Sequence, residues 1–209
     1  MPSEPFPLDV RYQIGAVVLA AGESRRMGEP KMSLPWGNTT VIARVCEVLL
    51  ASGVEEIWVV TGGGREQVEA ALQHLPVYTV YNLEFADHNM IHSLQTGITS
   101  LSNNLKTTLV ALGDQPQIES DTIRRLMQAF QESSASLIVP SYNNHRGHPW
   151  LLSRSLWPEI LSLQPPSTLR DFLNGHAEQI QYINIATPTV LKDLDTPEDY
   201  ARERPAGNH

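Results

Sequence analysis

Apolar and polar residues follow two periodicities along this chain. Short apolar runs, typical of buried strands, occupy residues 14–20, 56–61, 77–81, 108–112, 137–140 and 180–185. Between them, apolar residues recur every three or four positions, as in amphipathic helices, over residues 39–51, 65–74, 91–101, 120–131, 153–163, 168–174 and 196–202. Strands that alternate with helices in this way predict βαβ units around a parallel sheet.

The pattern therefore predicts an α/β fold, in which a three-layer, Rossmann-like and mostly parallel sheet carries helices on both faces. A length of 209 residues suits a single core, so we expect one domain over residues 14–203. Residues 1–13 and 204–209 are then N-terminal and C-terminal tails. The polar stretch from Asn143 to Pro149 is predicted to be a loop.

Composition narrows the class of protein. Hydrophobic residues make up 41% of the chain and charged residues 18%, as in globular proteins. The net charge of −8 argues against nucleic acid or an anionic membrane surface as a partner. The single cysteine, Cys46, excludes a disulfide framework and a cysteine-based metal site. No apolar run is long enough to span a membrane and no signal peptide is visible, so we expect a cytoplasmic protein.

The segment after the first predicted strand has the composition of a loop that binds phosphate. Gly22 and Gly28 allow a close approach of the backbone to a ligand or a positive φ. Exposed backbone N–H groups, together with Arg25 and Lys31, can then hold phosphate oxygens. The spacing matches neither the Rossmann G-x-G-x-x-G fingerprint nor the Walker pattern.

This segment instead resembles L-A-A-G-x-S-x-R-M-G-x-x-K, the signature of the MobA-like nucleotidyltransferases. We match its fixed positions to Leu19, Ala20, Ala21, Gly22, Ser24, Arg25, Met27, Gly28 and Lys31. The resemblance implies a fold like that of the nucleotide-diphospho-sugar transferases and a nucleotidyl transfer that depends on Mg²⁺ or Mn²⁺. The resemblance also implies that the catalytic residues are Arg25, Lys31 and Asp114.

The resemblance is greatest to the molybdenum cofactor cytidylyltransferase branch, because Gly-Asp-Gln-Pro at 113–116 and Gly-His-Pro at 147–149 both occur. It implies that CTP, or another nucleoside triphosphate, reacts with molybdopterin cofactor, and that a client molybdoenzyme is a further partner. The expected nucleotide-binding residues are Leu19, Ala20, Ala21, Gly22, Ser24, Arg25, Gly28, Lys31, Thr61, Gly62, Asn82 and Asp114. Those expected at the acceptor are Ser93, Gln115, Gly147, His148 and Pro149.

Two aspartates are candidate metal ligands. Asp114 ends a buried apolar run, where its carboxylate can meet a hard cation; the alternative is that it caps the next helix. Asp195 lies in a segment that resembles the family's D-[IL]-D-T-P-E-D, which implies that it approaches the metal from a late strand. The alternative is that Asp195 merely caps or precedes the last helix.

Other functions stay open at this point. One is transfer of a guanylyl or cytidylyl group to another phosphorylated acceptor. Another is a non-catalytic carrier that inserts molybdenum cofactor into an enzyme, although such a carrier does not need a metal carboxylate. A third is an NAD(P)-dependent reductase, against which the missing G-x-G-x-x-G argues.

Overall fold

The computed structural model describes residues 13–87 and 89–205. The predicted tails at 1–13 and 204–209 lie almost entirely outside this range. The strands are β1 (Ile14–Ala20), β2 (Pro35–Trp36), β3 (Thr39–Thr40), β4 (Glu56–Thr61), β5 (Tyr78–Tyr81), β6 (Thr107–Leu112), β7 (Leu137–Tyr142), β8 (His145–Arg146), β9 (Trp150–Ser153) and β10 (Ile180–Asn184). The helices are α1 (Val41–Ala51), α2 (Arg65–Leu72), α3 (Met90–Ser100), α4 (Ser120–Glu132), α5 (Trp157–Ser162), α6 (Leu169–Gly175) and α7 (Pro197–Glu203).

The main sheet has the strand order β10-β7-β9-β6-β1-β4-β5, with β8 paired to the end of β7. All neighbours on this path are parallel except those of β9, which runs antiparallel to both β6 and β7. The predicted α/β class and the mostly parallel sheet are therefore confirmed. None of the helices within the described ranges is both long and apolar enough to cross a membrane.

Strand β1 lies at the centre of the sheet, and all seven of its residues are buried. Its side chains alternate between the two faces, as strand geometry requires. Ala16 and Val18 pack with α1, α2 and α4 on one face, whereas Val17 and Leu19 pack with α3, α5 and α6 on the other. The sheet and the helices packed on its two faces through these apolar clusters form the predicted three layers. Cys46 is buried within the first of them.

The segment 143–153 differs from the sequence prediction. We expected a loop up to Pro149 and a helix from Ser153, but β8 and β9 lie there instead. A cis peptide joins His148 to Pro149 directly before β9. The run Trp150-Leu151-Leu152 was too short to stand out in the pattern, yet its side chains are buried because β9 lies between two other strands.

We predict that Gly97→Ala destabilises the fold. An added Cβ at this position in α3 would lie 2.3 Å from Cγ1 of Val17 on β1, so helix and sheet would have to separate. The expected loss is about 1–3 kcal/mol in the free energy of unfolding, measured by urea denaturation. Gly175→Ala in α6 is the matched control, since nothing lies within 4 Å of its Cβ. Equal stability of the two variants would contradict the close packing of α3 on β1.

Candidate active site

The loop that follows β1 is held in shape by its own hydrogen bonds. Ser24 adopts a positive φ of 53°, and its carbonyl accepts a hydrogen bond from the Met27 amide at 2.9 Å. The Ser24 hydroxyl accepts another from the amide of Lys31 at 3.1 Å. Gly28 also has a positive φ, of 73°, as the sequence suggested for this glycine. Met27 is buried beneath the loop against Leu34, Trp36, Val41 and Leu194.

Lys31 lies between the two carboxylates that the sequence proposed as metal ligands. Its Nζ is 2.5 Å from Oδ2 of Asp114 and 3.4 Å from Oδ1 of Asp195. The two carboxylate oxygens are thus at most 5.9 Å apart, the total of these two distances. The side chains of Lys31 and Asp114 are 11% and 17% exposed, so their attraction is little screened by water. The loop after β1, the carboxyl edge of the sheet and the C-terminal segment thus meet at the ammonium group of Lys31.

Asp195 reaches the site from a loop and not from the late strand that the resemblance implied. The last strand ends at Asn184, and Asp195 lies between a short 3₁₀ turn, Pro188–Leu191, and α7. The amide of Leu194 donates to the carbonyl of Asp114 at 3.1 Å, which ties this loop to the end of β6. Thr196, followed by Pro197, caps α7, so Asp195 precedes the helix without capping it.

The alternative role of Asp114 as a helix cap does not match the structure. Helix α4 begins at Ser120, with Glu119 as its N-cap residue, five positions beyond Asp114. Ser120 itself lies in the first turn of the helix. Asp114 follows Gly113 at the end of β6, beside the end of β1. Its carboxylate is therefore directed to Lys31 at the carboxyl edge of the sheet.

A third carboxylate, Asp193, belongs to the same cluster and was not singled out from the sequence. Its Oδ1 accepts a hydrogen bond from Nε2 of Gln115 at 2.6 Å. Burial, with a further contribution from the charge of Asp114, raises the pKa of Asp193 above its usual range. Gln115 was predicted at the acceptor, but its buried amide binds Asp193 and joins the Gly-Asp-Gln-Pro loop to the C-terminal segment.

The two arginines of the loop point to different places. Arg25, the predicted phosphate ligand, pairs with Glu23 at 2.7 Å and has a side chain that is 71% exposed. Arg26 instead bonds Oδ1 of Asp195 at 3.0 Å. The sequence held a signal for this, because counting the family signature from Leu19 puts its arginine at position 26 and not at position 25, where we had matched it.

A cavity of about 460 Å³, here called the loop cavity, opens beside the charged cluster. Of the predicted site residues, its walls include Leu19, Ala21, Gly22, Lys31, Ser93, Asp114, His148 and Asp195. The other wall residues are Arg26, Met32, Phe85, Asn89, Met90, Leu112 and Asp193. Asn89 caps α3 by accepting a hydrogen bond from the Ile91 amide.

Several predicted nucleotide-binding residues lie behind the walls of the loop cavity and support them. An added Cβ on Gly62 would lie 2.2 Å from the carbonyl oxygen of Ala21, so only glycine allows this approach. Thr61 is buried and its hydroxyl donates to the Val80 carbonyl. Asn82 is buried and donates to the hydroxyl of Ser93 at 3.0 Å. Ala20, Ser24, Arg25 and Gly28 also lie outside these walls.

His148 separates the loop cavity from a second cavity of about 720 Å³ and lines both. Its ring stacks on Trp150, with ring centroids 4.5 Å apart. Burial lowers the pKa of His148 to about 4, so its imidazole is neutral at pH 7. Gly147 lies against the carbonyl of Val190, and Pro149 stands outside both cavities. Of the predicted Gly-His-Pro segment, only His148 reaches the cavity walls.

The second cavity, here called the arginine cavity, was not predicted from the sequence. It is lined by Asn89, Met90, Asn144, His145, Arg146, His148, Trp150, Pro166, Ser167, Thr168, Leu169, Arg170 and Leu173. Its residues come from β8, β9, α6 and the start of α3, which are far apart in the chain. No short motif could therefore reveal it.

The donor set of the charged cluster is compatible with a hard divalent cation. Asp114 and Asp195 offer carboxylate oxygens that converge on one cationic position, and Mg²⁺ prefers such ligands. Within residues 13–87 and 89–205, no group of three or more His, Cys, Asp or Glu side chains is arranged to hold a metal ion. A metal ion here would thus complete its shell with water and substrate oxygens.

Comparison with known proteins agrees with this geometry. The model of the MobA-like NTP transferase domain matches residues 16–180. The purine catabolism protein PucB of Bacillus subtilis is 28% identical over 93% of this chain and 97% of its own length. The molybdenum cofactor cytidylyltransferase of Escherichia coli is 25% identical over 91% of this chain and 96% of its own length.

Solved structures show the same fold. A nucleotidyl transferase from Methanothermobacter superposes with a TM-score of 0.78 and 28% identity, over 91% of this chain and 95% of its own. The Rv0371c protein of Mycobacterium tuberculosis, in complex with manganese, superposes with a TM-score of 0.73 and 28% identity, over 91% and 97% of the two chains.

We predict that protonation of His148 destabilises the protein in acid. Because the pKa falls from 6.5 in the unfolded chain to about 4 in the fold, the unfolded state binds the extra proton first. The stabilisation present above pH 6.5 is therefore lost as the pH falls towards 4, by roughly 3 kcal/mol in total. Urea denaturation of His148→Gln between pH 7.5 and 4.5 is expected to show a weaker dependence on pH. His145→Gln, an exposed neighbour, is the control, and an unchanged slope in His148→Gln would contradict the prediction.

Proposed function

The chain belongs to the family of MobA-like NTP transferase domains, and on this basis we propose that it transfers the cytidylyl group of CTP to the phosphate of molybdopterin cofactor, releasing pyrophosphate. The observation that carries the proposal is the position of Lys31 between Asp114 and Asp195, in the wall of the loop cavity. The similarity to a molybdenum cofactor cytidylyltransferase over 91% of the chain supports this choice of substrates.

In the proposed reaction, an oxygen of the acceptor phosphate forms a bond to the α-phosphorus of CTP. The bond from that phosphorus to the bridging oxygen breaks, and pyrophosphate leaves with the electron pair. Because the attacking phosphate is already an anion, the protein needs neither a nucleophile nor a strong base. Its task is to align the two substrates and to offset negative charge at the α-phosphorus.

The residues of the loop cavity have the charges that this task requires. Lys31 supplies a positive charge beside the α-phosphate, and the exposed amides after β1 bind the other phosphates. Arg26 lines the cavity, although its side chain is 70% exposed, and it replaces Arg25 as our candidate for holding the leaving pyrophosphate. Asp195 then has a second role, because its Oδ1 lies 3.0 Å from Nη2 of Arg26 and so holds the guanidinium in position.

Mg²⁺ or Mn²⁺ is the metal ion that this proposal assigns to Asp114 and Asp195. When bound, such an ion neutralises charge on phosphate oxygens. The Mycobacterium relative was solved in complex with manganese, which supports the choice of a divalent cation. Lys31 keeps the two carboxylates together, because its ammonium contacts both of them.

The choice of base is proposed to depend on the backbone between Leu19 and Gly22. The loop after Thr61 supports this backbone from behind, since Gly62 packs on the Ala21 carbonyl. Phe85, in the wall of the same cavity, offers a ring on which the base can stack. A site that pairs its buried donors and acceptors with cytosine leaves them unpaired with guanine.

A carrier that only binds and delivers molybdenum cofactor is the main competing function. It predicts binding of the cofactor without consumption of CTP. A screen for pyrophosphate release with CTP, GTP, ATP and UTP, in the presence of Mg²⁺ and molybdopterin cofactor, separates the two functions. Release of pyrophosphate that depends on both substrates supports the transferase, whereas binding without release supports the carrier.

We predict that Asp114→Asn removes most metal-dependent turnover while the fold is kept. The loss is expected to be about a hundredfold or more, because a carboxylate that holds the metal at the reacting phosphate is removed. Steady-state rates of pyrophosphate release across a Mg²⁺ titration measure it. Asp121→Asn, an exposed aspartate in the first turn of α4, is the matched control. If Asp114→Asn keeps near-normal rates at limiting Mg²⁺, then Asp114 is not a metal ligand.

We also predict that CTP is preferred over GTP. Each buried polar group left unpaired by the wrong base costs about 1–3 kcal/mol, so one or two such groups give roughly tenfold to several-thousandfold discrimination. Competition between the two nucleotides at equal concentration, with both dinucleotide products quantified, measures the ratio of kcat/KM. Equal or greater use of GTP would reject cytidylyl transfer and leave nucleotidyl transfer in place.

A further inference from the structure

The arginine cavity is the larger of the two cavities, and the residues described around it carry no negative charge. Among residues 13–87 and 89–205, thirteen line it, and they include Arg146, Arg170, His145 and His148 but no aspartate or glutamate. This is unusual in a chain whose net charge is −8. Asp171, the chain neighbour of Arg170, does not line the cavity, and its Oδ2 accepts hydrogen bonds from the amide and hydroxyl of Thr168. The cavity therefore favours an anionic ligand.

Arg146 is held in place by neutral partners. Its Nε donates to the Tyr182 hydroxyl at 2.8 Å, and its Nη1 donates to Oδ1 of Asn174 at the same distance. The guanidinium carbon also lies 5.7 Å from the centre of the Tyr182 ring. These contacts orient the group without neutralising its charge, and they use two of its five N–H donors. Within the described residues, neither Arg146 nor Arg170 forms an ion pair with a carboxylate.

The two cavities meet at a common wall of Asn89, Met90 and His148. Lys31 and Asp114 line only the loop cavity, whereas Arg146 and Arg170 line only the arginine cavity. A substrate in the arginine cavity that presents its phosphate to Lys31 must therefore extend past this common wall. The remainder of that substrate then stays beside Arg146 and Arg170. Trp150, Leu169 and Leu173 offer apolar contacts to that remaining part.

We propose that the arginine cavity binds the acceptor substrate, and that Arg146 and Arg170 bind a second anionic group of this acceptor, separate from the phosphate that reacts. The proposal rests on the nucleotidyl transfer proposed above and specifies its acceptor as a compound with two anionic groups on an apolar or planar body. Molybdopterin has this chemistry, because its pair of thiolate sulfurs is anionic and separate from its phosphate. The arginines thus select the acceptor without touching the reacting atoms.

Two small probes that differ only in the second anionic group test this directly. Phenyl phosphate carries one anionic group and 4-carboxyphenyl phosphate carries two. Their Kd values are measured by calorimetry on the full chain, with a non-reacting CTP analogue and Mg²⁺ present. We expect the wild-type protein to bind the two-anion probe roughly ten- to a hundredfold more tightly, as charge-assisted hydrogen bonds to arginine allow.

Arg146→Gln and Arg170→Gln are expected to reduce this preference, and the double variant to abolish it, with the Kd of phenyl phosphate unchanged. Arg124→Gln, an exposed arginine on α4, is the control for loss of charge alone. An equal loss for both probes would mean that the arginines bind the reacting phosphate. That result, or the absence of any preference in the wild type, including no binding of either probe, overturns the proposal.

The same variants in the pyrophosphate-release assay distinguish this proposal from the proposed function. With molybdopterin cofactor as acceptor, we expect a KM for the acceptor raised about tenfold or more, at an unchanged KM for CTP. If the wild-type protein releases no pyrophosphate with molybdopterin, the choice of acceptor in the proposed function is wrong. The comparison of the two probes still decides whether the arginines bind a second anion.

Discussion

The burial of β1 on both faces is the constraint on which the site depends. A central strand between two parallel neighbours has no exposed edge, so its residues must be apolar and its register is set by packing on both sides. The chain can become polar only beyond the end of β1, which is at Ala20. The loop with Lys31 therefore begins at the carboxyl edge of the sheet, beside the ends of β4 and β6, where α/β folds bind ligands.

The cluster around Lys31 combines three carboxylates with few cations. Asp114, Asp193 and Asp195 approach one another because the backbone bond from Leu194 to Asp114 ties the C-terminal segment to β6. Such a group of like charges is costly unless positive charge is near. Burial and, after it, the charge of Asp114 raise the pKa of Asp193 above its usual range. The carboxylates of Asp114 and Asp195 are compatible with the divalent cation that we propose, whose remaining ligands would be water and substrate oxygens.

The two cavities differ in charge and in the elements that build them. The loop cavity is acidic at one side and is built on the edge of the sheet, whereas the arginine cavity has no carboxylate among its described lining residues and is built by β8, β9 and α6. His148 at their common wall is neutral at pH 7, so it adds no charge to either cavity. Stacking on Trp150 keeps its ring in the wall.

The sequence by itself determined most of the strands and helices, the mostly parallel sheet and the family, because these depend on local periodicity and on a contiguous motif. It also singled out Lys31, Asp114 and Asp195, since each belongs to a short motif, and the structure brings them together. The motif places an arginine at position 26, but only the tertiary structure shows its ion pair with Asp195, because side-chain direction in an irregular loop depends on contacts with distant residues. The same holds for β9 and for the arginine cavity, whose residues meet only after the chain has folded.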